Sequence, residues 1–199
     1  MSLFDKAVAA VTPPESQEAR NKAREKAYAA AGPGDWLSLV LDHHLQLESA
    51  FAAVKAAGDA NSRMAAQKKL GVTLTGHAIA EEAVLYPALA QADEKGHANM
   101  GYTEQVAVKM QMAALETLDP MSEDYLDKLE HIRGAVAHHM YEEEGTWFPE
   151  LKDKAPADVQ AKLTKRYKEE FDRYVGGGAE PQSAVANEPR TWSEPRAEL

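Results

Sequence analysis

The chain has 199 residues, no cysteine and a formal net charge of −10 at pH 7. That length fits one ordinary domain able to bury its own core, and the missing cysteines exclude disulfides, thiolate metal sites and thiol redox chemistry. The acidic balance speaks against nucleic acid and against anionic membranes as partners, since both attract basic surfaces.

The N-terminus has no cationic start followed by a long apolar run, and no later stretch approaches the ~18 apolar residues of a membrane span. A soluble, cytoplasmic protein is the expectation. Glycine and proline are scarce in the body of the chain, while alanine, leucine, glutamate and lysine are common, so the expected class is all-α.

In chain order, residues 1–34 form an N-terminal segment. A short apolar patch ends at Thr12-Pro13-Pro14, and 15–31 reads as a surface helix with little to bury, stopped by Gly32-Pro33-Gly34. Asp35 is the N-cap of a long helix whose apolar stripe is Trp36, Leu37, Val40, Leu41, Leu47, Phe51 and Val54. His44 falls in the gap at the centre of that stripe and reads as a ligand; His43, turned by about 100°, faces elsewhere. A turn at Gly58-Asp59-Ala60-Asn61 leads to a second helix from about 62, with Leu70, Leu74, His77, Glu81 and Leu85 inward. Pro87 should kink or end it.

A third helix is expected over 97–118, with Val108, Met112, Leu115 and Leu118 inward and Gln105 and Glu104 one turn above Val108. Ser122 opens a fourth, carrying Leu129, Ile132, Val136, His139 and Glu143, and Pro149 marks its end. A C-terminal helix over 154–175 presents Val159, Leu163, Tyr167, Phe171 and Tyr174 on one side. Gly176-Gly177-Gly178 then opens a polar tail, 176–199, expected to be disordered.

One stretch occurs twice. His77-Ala-Ile-Ala-Glu81-Glu82-Ala-Val-Leu85-Tyr86-Pro87 is matched by His139-Met-Tyr-Glu-Glu143-Glu144-Gly-Thr-Trp147-Phe148-Pro149. On a helix, residues four apart share a face, so each copy aims an imidazole and a carboxylate at one point. Two such points suit borderline or hard cations, with iron, manganese and zinc all fitting the ligand types. Aligning the helix before each copy sets His44 against Gln105. The predicted cluster is therefore His44, His77, Glu81, His139 and Glu143, with Gln105 at the sixth position.

These motifs, with Leu41-Asp42-His43-His44 before them and Leu115-Glu-Thr-Leu-Asp-Pro120 ahead of the fourth helix, resemble the hemerythrin-like, or HHE cation-binding, family over roughly 35–153. The resemblance implies an antiparallel up-and-down four-helix bundle around two iron ions, oxo- or hydroxo-bridged, with manganese or zinc as alternatives. It makes His44, His77 and His139 terminal ligands and Glu81 and Glu143 bridges.

The departure is Gln105, where the family usually has histidine. Three outcomes stay open: an open coordination place, substitution by Glu104 or Tyr102 from the same helix, or a mononuclear or partly filled site. Glu48 is read as solvated, and one of Glu82, Glu142 and Glu144 is expected to accept a hydrogen bond from a ligand imidazole.

The function expected is a di-iron protein of oxidative or nitrosative stress. Its small-molecule partners would be O2, H2O2 or NO, with weak peroxidase, catalase-like or oxygen-reducing activity. The alternative is a module that binds metal or oxygen, or senses iron, without turnover. Oligomeric state is not readable from the sequence.

Overall fold

The computed structural model describes residues 15–176, and every regular element among them is helical. The break at Thr12-Pro13-Pro14 and the tail from 177 onward lie outside the described residues. No helix among those described is long and apolar enough to cross a membrane.

Helix α1, Gln17–Ala30, starts on Ser16, whose hydroxyl accepts the Ala19 N–H at 3.1 Å. It buries only Ala23 and Ala27, and these small side chains allow close approach: a Cβ on Gly145 would lie 3.4 Å from that of Ala23. Helix α2, Trp36–Ala56, begins at Asp35, which accepts from Ser38 N–H at 2.9 Å. Helix α3, Ala60–Ala80, begins at Asp59, which accepts from Ser62 N–H at 3.0 Å. Both caps satisfy N–H groups that a helix start leaves without a partner.

Pro87 does not end the second helix. The chain widens into a π turn at Glu81–Leu85, where Tyr86 N–H reaches back five residues to Glu81 O, and continues as α4, Tyr86–Gln91. Helix α5 is Lys95–Leu115 and α6 is Glu123–Glu142, the latter capped by Ser122. A second π turn, Glu143–Trp147, repeats the first: Phe148 N–H bonds Glu143 O, and α7, Phe148–Lys154, carries Pro149 in its first turn. Helix α8 is Ala157–Val175.

The physical reason is that proline has no N–H and its ring crowds the carbonyl four residues back. A five-residue turn carries the helix past that obstacle. The carbonyls left over find partners elsewhere, as buried backbone groups must: Tyr102 donates its hydroxyl to Glu82 O at 2.8 Å, and Lys26 donates to Gly145 O at 2.6 Å.

Helix α2 packs along α3 and against α6, α5 along α6, and α8 against α3 and α2. The apolar residues form two separate clusters. One holds Trp36, Leu41, Val84, Leu85, Trp147, Phe148 and Leu163; the other holds Leu47, Phe51, Leu70, Val108, Ile132 and Val136. Between them lies a buried polar layer. Helices α2 and α3 each cross it once, His44 falling between Leu41 and Leu47, and His77 between Leu74 and Ala80. The far end is tied by buried Arg63, which donates to the carbonyls of Val54, Ala57 and Pro120 at 3.2, 2.6 and 2.7 Å.

Candidate metal centre

The layer gathers side chains from five helices and both π turns. His44, Glu81 and Glu143 are fully buried, and His77, His139 and Gln105 are at most 6% exposed. The i, i+4 spacing brings His77 Nε2 to 3.2 Å from Glu81 Oε1, and His139 Nε2 to 3.2 Å from Glu143 Oε1. From α2, His44 Nε2 comes within 3.3 Å of Glu143 Oε2. These are the separations of neighbouring donors around one cation: at bond lengths of about 2.0–2.2 Å, ligands at right angles lie roughly 3 Å apart.

Each carboxylate divides its oxygens between two faces. Glu81 Oε1 and Glu143 Oε2 lie with His44 and His77, and donor atoms of these four residues all fall within 4.8 Å of one another. Glu81 Oε2 and Glu143 Oε1 face the other way, where they meet Tyr86, Gln105 and His139. On the first face His44 Nε2, His77 Nε2, Glu81 Oε1 and Glu143 Oε2 are buried without a hydrogen-bond partner. Four such atoms converging is costly for a core, and two nitrogens with two carboxylate oxygens are a fitting donor set for a borderline or hard cation.

All three imidazoles are held from behind by Nδ1. His44 Nδ1 meets Glu144 at 2.8 Å, His139 Nδ1 meets Glu104 at 2.7 Å, and His77 Nδ1 meets the Tyr167 hydroxyl at 3.1 Å. A proton fixed on Nδ1 leaves the Nε2 lone pair aimed inward, which is how metal-binding histidines are oriented. Glu144 is itself held by Arg24 of α1, whose Nε and Nη2 donate to it at 2.9–3.1 Å while other donors reach Glu48. Tyr167 also bonds His43 Nδ1 at 2.9 Å, and the His43 ring stacks on Phe171.

The electrostatics ask for positive charge. Burial pushes Glu81 well above the ordinary carboxylate range, and negative Glu143 adds to it. Burial acts the same way on Glu143, but His139 and His44 outweigh it and hold it well below. Burial would lower His44, yet Glu143 and Glu144 bring it up to about 9. Burial and the neighbouring His44 depress His77.

Of the expected residues, His44, His77, Glu81 and Glu143 converge on one face and His139 on the other. Glu104 reaches the outer nitrogen of His139, while Gln105 points inward, its amide nitrogen donating to Glu81 Oε2 at 2.6 Å and its Oε1 buried without a partner. Tyr102 bonds the Glu82 backbone, and His138 turns away to Glu15 at 2.6 Å. A second grouping, Glu94, His97 and Glu150, is half-exposed, and its Glu94 pairs with Lys154.

Three participants were not read from the sequence as parts of the site: Arg24, Tyr167 and Tyr86. The Tyr86 signal was present, because the repeat places a hydroxyl-bearing ring where the second copy has Phe148. Tyr167 sat in an apolar stripe and looked like core; Arg24 sat on a surface helix.

Residues 37–170 match the family model described as hemerythrin HHE cation binding domain. The chain belongs to this family. Cation binding is the property that description carries, and the buried histidine and glutamate cluster supplies donors for it. A protein named DNA nickase, from Nostoc sp. (strain PCC 7120 / SAG 25.82 / UTEX 2576), is 28% identical over 98 residues, covering 49% of this chain and 27% of that one. The chain therefore spans about a quarter of that relative's length. No solved structure matches the chain.

Proposed function

We propose that the chain is a non-heme di-iron protein that reacts with O2, H2O2 or NO, its long helices α2, α3, α5 and α6 forming an up-and-down bundle around the two ions. The observation that carries this reading is the division of Glu81 and Glu143 between two faces, each face with histidine nitrogen beside it. Carboxylates so placed suit bridging, His44 and His77 suit one ion, and His139 the other. Iron there would supply redox chemistry with small oxidants; the chain's own residues orient the donors.

The size of the space beside the donors supports small reactants. A cavity of about 20 Å³ opens against His77, Gln105 and His139, walled by Leu47, Leu74, Val108, Val136 and Met140. That is room for about one water-sized molecule, which suits O2, NO or peroxide. Nicking activity is no part of this reading: the match covers 27% of the relative, and a net charge of −10 opposes a phosphate backbone.

The test is aerobic iron loading of the full chain, with metal analysis and an optical spectrum, beside His139→Ala. Two irons per chain with an oxo-to-iron charge-transfer band are expected, and the variant should lose both. Peroxide consumption then separates the two functions: turnover by the loaded protein and not by the variant supports a catalyst. Equal inertness leaves a binding or sensing module.

A further inference from the structure

The second face of the centre contains a group that neither half of the repeat supplies symmetrically. The phenolic oxygen of Tyr86, buried at the start of α4, lies 3.0 Å from His139 Nε2, 3.0 Å from Glu143 Oε1 and 3.4 Å from Glu81 Oε2. Those are the same donor-to-donor separations found on the first face, and roughly what neighbouring ligands at about 2.0–2.2 Å from one cation require. The pseudo-symmetric position is Phe148, which has no donor atom, and its ring packs against Trp36 instead.

Two residues of α5 shape the place for that oxygen. Gly101 gives the ring its room: a Cβ there would come 2.7 Å from the ring's Cζ. Four residues on, and so on the same face, Gln105 Nε2 donates to the Tyr86 oxygen at 2.7 Å and to Glu81 at 2.6 Å. These two bonds hold the phenolic oxygen in place beside the carboxylates. Gln105, which stands where a histidine nitrogen was expected, thus presents donor hydrogens rather than a ligand atom.

We propose that Tyr86 is a metal ligand, its oxygen completing the donor set of the second cation with His139, Glu81 and Glu143 in the place that Gln105 leaves without a strong donor. The proposal rests on the two-cation reading above. On binding, the cation replaces the phenol proton, which is released to solvent as for other protic ligands.

The test is the optical and resonance Raman spectrum of the full chain loaded with ferric iron. A phenolate-to-iron charge-transfer band in the visible, with resonance-enhanced phenolate ring vibrations, is expected. Tyr86→Phe should abolish both and lower iron from two towards one per chain; Tyr125→Phe, whose hydroxyl bonds Gln67 within the second apolar cluster away from the centre, should keep both. Two irons with no phenolate signature in the wild type overturn this proposal alone, as does a signature that survives Tyr86→Phe or disappears with Tyr125→Phe. Fewer than two irons in the wild type overturn the di-iron reading and this one with it.

Discussion

Glu144 accepts from His44 Nδ1 at 2.8 Å, and this bond turns the opposite ring nitrogen towards Glu143, 3.3 Å away. Glu144 is only 2% exposed, and Arg24 fixes its carboxylate from the outer side. The N-terminal helix therefore acts on the centre through one carboxylate. Glu144→Ala should weaken metal binding by roughly 10–100-fold, the range for losing such a supporting group. Glu144→Gln, which still offers an oxygen to Nδ1, should lose much less. Competition against a chelator of known affinity measures both, and equal losses would refute the orienting role.

Tyr167 reaches two histidines from α8, at 2.9 Å to His43 and 3.1 Å to His77. Tyr167→Phe keeps the ring and removes only the hydroxyl. Buried imidazole nitrogens left without partners should cost about 1–3 kcal/mol, visible as a lower midpoint in urea without a change in slope. Metal affinity should fall as well, because the His77 tautomer is no longer fixed.

Two helical glycines should respond in opposite directions to the same substitution. At Gly134 a Cβ meets nothing within 4 Å, so Gly134→Ala should stabilise by about 0.5–1 kcal/mol through backbone entropy alone. At Gly101 the Cβ would meet three ring atoms of Tyr86 at 2.7–3.0 Å, and overpacking of that kind costs about 1–3 kcal/mol. Thermal melts of the two variants beside the wild type decide it; a stabilised Gly101→Ala would show that the Tyr86 ring moves freely.

Asp35 should make stability depend on acid pH. Burial would raise its pKa, but Lys152 and the N–H groups of Ser38 and Gly32 outweigh that and lower it. A carboxyl depressed on folding contributes stability above its unfolded pKa of about 3.9, and that contribution disappears as pH falls through the folded value. Asp35→Asn keeps a cap and drops the charge. It should cost up to about 1 kcal/mol at pH 7 and progressively less below pH ~4, measured by urea unfolding across that range.

The helices were legible because their signals are local. Asp35 and Ser122 each cap the start at which they were expected, and α8 spans Ala157–Val175, inside the stretch its stripe marked out. The pairing of His77 with Glu81 and of His139 with Glu143 follows from helical spacing alone. The effect of Pro87 and Pro149 was less legible, because a proline forbids one hydrogen bond without saying how the chain goes around it. The wide turns depend on Tyr102 and Lys26 accepting the task of bonding the carbonyls left over.

The sequence by itself determined an all-helical chain with a buried row of imidazoles and carboxylates, because a period of 3.6 and a spacing of four act within one helix. Only the tertiary structure decided what stands behind and beside those donors. Arg24 meets Glu144 across 120 residues, Glu144 meets His44 across 100, and Tyr167 meets His77 across 90. No local spacing encodes contacts between helices, since they depend on how apolar faces pack. The same holds for the Tyr86 oxygen, placed beside Gln105 and His139 by the close approach that Gly101 permits.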